Sequence, residues 1–85
     1  MELRAYPNPA KEYVTLEVEG IAVAKGKVME IVLFNGIGQE VGRYYVAPYS
    51  PLVRVQTMGW GAGIYYAVLK DEQGNRVVKK LVLTR

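Results

Sequence analysis

Cysteine and histidine are both absent from this 85-residue chain. Without cysteine there is no disulfide and no thiolate, so burial and hydrogen bonding alone must hold the fold. Without histidine the commonest general base and the commonest zinc ligand are both missing. Serine and aspartate each occur once, as Ser50 and Asp71. A lone serine with no histidine to activate it makes no nucleophilic triad. Asp71-Glu72 with Asn75 matches no EF-hand spacing and reads as a hairpin turn. Charge is present but nowhere concentrated. The net charge is +3, and bases alternate with acids, as in Lys70-Asp71-Glu72 and Arg76. That is a solvated surface rather than the clustered base of a nucleic-acid site. No apolar run approaches the ~20 residues of a membrane-spanning helix. Met1-Glu2 does not open a signal peptide, which would begin with basic residues and an apolar run. The expectation is a non-enzyme with no catalytic residue, metal or cofactor, and with neither nucleic acid nor a membrane span among its partners.

What is present is apolar alternation. The hydrophobic fraction is 51%, ample for one core in a single domain covering residues 1–85. No helical period stands out, and Gly, Pro and Asn clusters interrupt the chain at short intervals, the pattern of an all-β sandwich or barrel. Leu3 to Tyr6 reads as a first strand, stopped by Pro7-Asn8-Pro9. Tyr13 to Glu19 alternates, with Val14, Leu16 and Val18 inward. Gly20 to Lys27 holds a turn at Lys25-Gly26-Lys27. Val28 to Phe34 is apolar on both faces and reads as a central strand. Asn35-Gly36-Ile37-Gly38 turns it into Gln39–Val46. Pro48 to Pro51 breaks the chain before Leu52–Gln56. Arg76 to Thr84 is the last strand, entered through a turn at Gly74-Asn75. The count is about seven strands.

The chain is organised around Gly59-Trp60-Gly61-Ala62-Gly63-Ile64-Tyr65-Tyr66-Ala67-Val68-Leu69. Three glycines in five residues allow unusual backbone conformations. They precede a strand, not a helix, so they do not make a phosphate loop. The strand places Tyr65, Ala67 and Leu69 on one face and Ile64, Tyr66 and Val68 on the other, and reads as buried on both. Nine aromatics are spread along the chain. Trp60, on a loop, and Tyr44, beside Tyr45 on a strand, are the aromatics expected at an interface.

Four short motifs then occur in order: Tyr6-Pro7-Asn8-Pro9-Ala10; Leu33-Phe34-Asn35 with Gly38-Gln39-Glu40-Val41; Ala62-Gly63-Ile64-Tyr65; and Lys80-Leu81-Val82-Leu83. Together they resemble the C-terminal sorting domain of cargo for the type IX secretion system, from about Tyr6 to the end of the chain. Asn35 stands where that family often has Asp, and Gly61 where Leu is usual before Ala-Gly. The resemblance implies an immunoglobulin-like antiparallel sandwich of about seven strands. It implies a targeting domain at the C-terminus of a larger cargo, here in excised form. It further implies recognition by outer-membrane machinery, namely a shuttle barrel protein and a sortase, and export through the periplasm of a Gram-negative cell to the surface or medium. The domain is usually removed when the cargo is attached. Its motif residues here are Pro7, Asn8, Pro9, Gly38, Gly63 and Tyr65. The last strand mixes lysines into an aliphatic run, and lysines on an edge strand ordinarily block unwanted pairing. The resemblance offers a second role, in which Lys79, Lys80, Leu81, Val82 and Leu83 meet the machinery. The tryptophan and tyrosines also admit a second reading, a carbohydrate- or protein-binding sandwich module. Oligomeric state is left open by the sequence.

Overall fold

The computed structural model describes residues 2–20, 28–47 and 49–84. Seven strands run through them: β1 (Glu2–Tyr6), β2 (Tyr13–Glu19), β3 (Met29–Asn35), β4 (Glu40–Val46), β5 (Leu52–Gln56), β6 (Gly63–Asp71) and β7 (Arg76–Leu83). One sheet has the order β1-β2-β5 and the other β4-β3-β6-β7, with every strand pair antiparallel. Hairpins join β1 to β2, β3 to β4 and β6 to β7, while the chain changes sheet between β2 and β3 and between β4, β5 and β6. This is the immunoglobulin-like sandwich that the resemblance implied.

The core lies between the two inward faces. Val14, Leu16 and Val18 of β2 meet Ile31 and Leu33 of β3 and Tyr65, Ala67 and Leu69 of β6, with Leu81 and Leu83 closing the β7 side. The period-two pattern explains this directly. In β2 each apolar residue is buried and each intervening Thr or Glu is half-buried. Burying one such aliphatic side chain stabilises the fold by about 1.5–3 kcal/mol.

The expected strand bounds hold to within a residue. One expectation about β6 does not. Its second face was read as buried, yet Ile64 is 42% and Tyr66 37% exposed. No described element covers the outer face of the four-stranded sheet, so β6 is apolar on both sides while only one side is core. The turn expected at Lys25-Gly26-Lys27 and the break at Pro48 lie outside the described residues.

The hairpin turns of the four-stranded sheet are two copies of one device. Asn35 N–H donates to the Gln39 carbonyl at 2.9 Å, and the Asn35 side-chain oxygen accepts the N–H of Ile37 and Gln39 at 3.1 and 2.9 Å. Asp71 N–H donates to the Asn75 carbonyl at 3.1 Å, and its carboxylate accepts the N–H of Gln73 and Asn75 at 3.0 and 2.9 Å. Each turn then needs a left-handed residue, supplied by Gly38 (φ 87°) and Gly74 (φ 86°). Asn35 therefore performs the same capping as an aspartate.

Candidate functional site

After Tyr6 the chain leaves the three-stranded sheet and runs along the outer edge of β7. Pro7 and Pro9 lack an N–H and cannot build a regular ladder there. The Asn8 side chain substitutes for a strand residue. Its Nδ2 donates to the Lys80 carbonyl at 3.2 Å, and its Oδ1 accepts the Val82 N–H at 3.0 Å. Ala10 completes the seam with backbone bonds. Its N–H donates to the Val82 carbonyl, and its carbonyl accepts the Thr84 N–H, both at 2.8 Å. The amide supplies the donor and the acceptor on two separate atoms, Nδ2 and Oδ1, as this position uses them. Ala10 is buried and bridges Leu83 in parallel, so a small residue is needed after Pro9.

The glycine stretch packs on the other side of the same strand. Gly63 opens β6 at φ 146°, and Tyr65 follows with its ring in the core. The Tyr65 hydroxyl donates to the Gly61 carbonyl at 2.7 Å. This is a tyrosine corner, in which a tyrosine near the start of a strand is tied to the backbone just upstream. The Trp60 ring lies 5.3 Å from that of Tyr65, tilted by 32°. Trp60 N–H donates to the Thr57 carbonyl at 3.0 Å. Thr57 is buried, accepting no exposure of its hydroxyl: the Oγ1 donates to the Lys11 carbonyl at 3.2 Å, and the Thr57 N–H donates to the Glu12 carbonyl at 2.9 Å. The corner is thus bonded to the segment that continues from Ala10. In the sheet Tyr65 pairs with Leu81 and Gly63 with Leu83. Three stretches far apart in sequence, 6–10, 59–65 and 80–84, form one hydrogen-bonded unit.

The residues expected to meet a partner divide by face. Leu81 and Leu83 are buried in the core, and half-buried Lys79 shares their inward side opposite Ala67. Lys80 and Val82 lie on the outer face, Lys80 exposed beside Tyr66 and Val82 half-buried beside Ile64. Tyr44 pairs with Ile31 and packs against the core, as does Trp60. Tyr45, the neighbour of Tyr44, is the outward one and is 70% exposed. Pro7 and Pro9 line a groove with Tyr13 and Thr84, and the Arg54 guanidinium lies 4.0 Å from the centre of the Tyr13 ring. Thr57 was missed by sequence reasoning. Its burial depends on a loop 46 residues upstream, so no local pattern marks it.

Two carboxyls are held below their ordinary values. Arg43 does this to Glu40 by donating to its carboxylate, and the Asn75 side chain does it to Asp71. Both are structural pairings on the surface. Among the described residues no group of three acidic, histidine or cysteine side chains is placed to hold a metal, and no helix is long and apolar enough to cross a membrane.

A search of curated proteins returns no match. A family model described as the secretion system C-terminal sorting domain matches residues 4–84. That span contains all four motifs and every bond of the unit that joins the Pro-Asn-Pro segment, the tyrosine corner and the last strand. The chain belongs to the family of C-terminal sorting domains of the type IX secretion system.

Proposed function

We propose that this domain is a non-catalytic sorting signal: fused to the C-terminus of a cargo protein, it directs that cargo through the periplasm and across the outer membrane of a Gram-negative cell by the type IX route. In this reading the outer-membrane machinery, a shuttle barrel protein and a sortase, recognises the domain, and the sortase removes it as the cargo reaches the surface. Support comes from family membership and from one structural observation. The family's first and last motifs are bonded to each other through Asn8 and Ala10, so the motifs form a single rigid edge.

That bonding bears on how the last strand is read. From Lys80 to Thr84 the outer backbone edge of β7 is already taken by the Pro-Asn-Pro-Ala segment. A partner adding a strand there would have to displace it. Recognition of the folded domain therefore runs through side chains that point away from the core, Lys80 and Val82. Leu81 and Leu83 act by holding the strand in place, and Lys79 contributes from its half-buried position at the rim.

The experiment fuses the domain to a secreted reporter in a bacterium with a type IX system and compares Lys80→Ala/Val82→Thr with the parent. Export is expected to fall severalfold while the melting curve of the purified domain stays within the range of a surface change, under about 1 kcal/mol. Parental export by this variant would refute side-chain recognition at these positions. Export lost only in step with unfolding would assign the strand a purely structural role.

A further inference from the structure

The outer face of the four-stranded sheet is not needed for the core, yet it carries Phe34, Ile64, Tyr66, Val68, Val78 and Val82. Val78 is 58% exposed. Val32 is buried on this face although it belongs to no part of the core cluster. A sheet face open to water usually carries polar residues at such positions. A contiguous apolar patch marks a surface that something covers.

The charges around the patch have an order. On the β3–β4 half the outward residues include two acids and one base, Glu30, Glu40 and Arg43. On the β6–β7 half they include three bases, Lys70, Arg76 and Lys80, and no acid among the described residues. The strand register fixes their rows. One row across the sheet reads Glu40, Phe34, Tyr66, Lys80; another reads Tyr45, Glu30, Lys70, Arg76; the row between them reads Arg43, Val32, Val68, Val78.

We propose that this face binds a second copy of the same chain, about a twofold axis parallel to the strands. An isologous interface must be complementary to itself. This axis reverses every row, and each row is then matched. Glu40 faces Lys80 of the second copy, Phe34 faces Tyr66, Glu30 faces Lys70 and Val32 faces Val68. Tyr45 faces Arg76, a pair of cation–π type. Arg43 meets Val78. Its guanidinium stays with Glu30 and Glu40, at 2.8 and 2.9 Å, and its aliphatic stem lies toward the valine. The Glu40 carboxylate has about four acceptor sites, so the Arg43 fork leaves room for Lys80. The alternative axis, across the strands, sets each strand over itself. It stacks the three-base half on the three-base half, which like-charge repulsion opposes. Charge therefore selects both the partner and the orientation. The patch is only about 19 Å wide, four strands at ~4.8 Å, so the dimer is a weak, concentration-dependent one.

Sedimentation velocity on the purified domain over a wide concentration range tests this. The expected result is a mass rising from one chain toward two. Lys80→Glu and Glu40→Lys should each shift the association by tenfold or more toward the monomer. The double variant K80E/E40K should recover parental association, because the pair is restored with its signs exchanged. Glu17→Lys, on the opposite sheet, should leave association unchanged. Circular-dichroism melts confirm that each variant is folded, and Val78→Thr, which touches no ion pair, serves as a second probe of the same face. A chain that stays monomeric at every concentration overturns the proposal and leaves the face to a different protein. Dimers insensitive to Lys80→Glu, dimers lost in Glu17→Lys, or a double variant no better than the singles would overturn it as well.

Discussion

On the three-stranded sheet most outward positions are polar, Glu2, Arg4, Thr15, Glu17, Glu19, Arg54 and Gln56, with Tyr6, Tyr13 and Leu52 at its margins, whereas on the four-stranded sheet Phe34, Ile64, Tyr66, Val68, Val78 and Val82 lie together within a rim of charge. Both faces are outside the core and neither is covered by a described element. The first is mostly polar along its strands, as a solvated antiparallel sheet should be, with Arg4 pairing Glu19 at 2.9 Å. The second departs from alternation over several strands at once. Solubility favours the first arrangement, so the second reflects a role other than holding the fold. It is also the sheet that carries the family's last motif and the tyrosine corner.

A break between inside and outside also lies between adjacent residues of β6, Tyr65 inward and Tyr66 outward. Tyr65→Ala removes a buried ring and its bond to Gly61, and should cost about 3–5 kcal/mol by urea denaturation. Tyr66→Ala, one residue on and facing outward, should cost about 1 kcal/mol. Equal costs would mean that the outer face is buried in solution and that the contrast between the two faces is false.

The seam between the sheets comes next in size. Asn8→Ala removes two hydrogen bonds from the edge of β7, each contributing about 0.5–1.5 kcal/mol net. The expected loss is about 1–2 kcal/mol, with faster amide exchange at Val82, whose N–H then lacks its acceptor. Asn8→Asp keeps that acceptor but cannot donate to Lys80, so Val82 should stay protected while stability still falls. Unchanged Val82 exchange in Asn8→Ala would show that the Pro-Asn-Pro segment does not hold the strand. On the two outer faces themselves the effects on folding should be smaller. Val78→Thr and Thr15→Val should each stay within about 1 kcal/mol. Only Val78→Thr should weaken self-association.

Much of this was legible in the residues, because a period of two names the two faces of a strand. Val14, Leu16 and Val18, and likewise Tyr65, Ala67 and Leu69, could be placed together before any coordinates. The same rule put Tyr44 and Tyr45 on opposite sides without saying which was inward. That was decided by pairing Tyr44 with Ile31, a long-range fact. Alternation also cannot separate an apolar surface from a second core, which is why the outer side of β6 was read as buried. The role of Asn8 was beyond local reasoning for the same kind of cause. Its partners lie 72 and 74 residues away, and nothing in Pro-Asn-Pro itself specifies which strand its amide will close.

The smallest expected effect concerns the two turns of the four-stranded sheet, which share a geometry and differ in one group. Asn35 caps the β3–β4 turn with a neutral amide, and Asp71 caps the β6–β7 turn with a carboxylate. The Asn75 side chain, donating to Asp71 at 2.9 Å, is the main reason that the Asp71 carboxyl sits below its ordinary value; the N–H groups of Asn75 and Gln73 add to it. A carboxyl whose pKa is lower in the folded state stabilises the fold fully above its unfolded value, near 4. That contribution is lost as pH falls through the lower, folded value. Acid should therefore loosen the β6–β7 turn while sparing the β3–β4 turn. Asp71→Asn should keep the turn, since Asn35 shows that an amide can cap it, and should remove this part of the acid dependence. Asn35→Asp should introduce the same dependence at the opposite end of the sheet. Thermal melts from neutral pH to below 4 read this as a difference between parent and variant, which cancels carboxyls common to both, such as Glu40. Parallel curves for the parent and Asp71→Asn down to strong acid would show that the charge on Asp71 adds nothing to the turn. The two caps would then be equivalent in energy as well as in geometry.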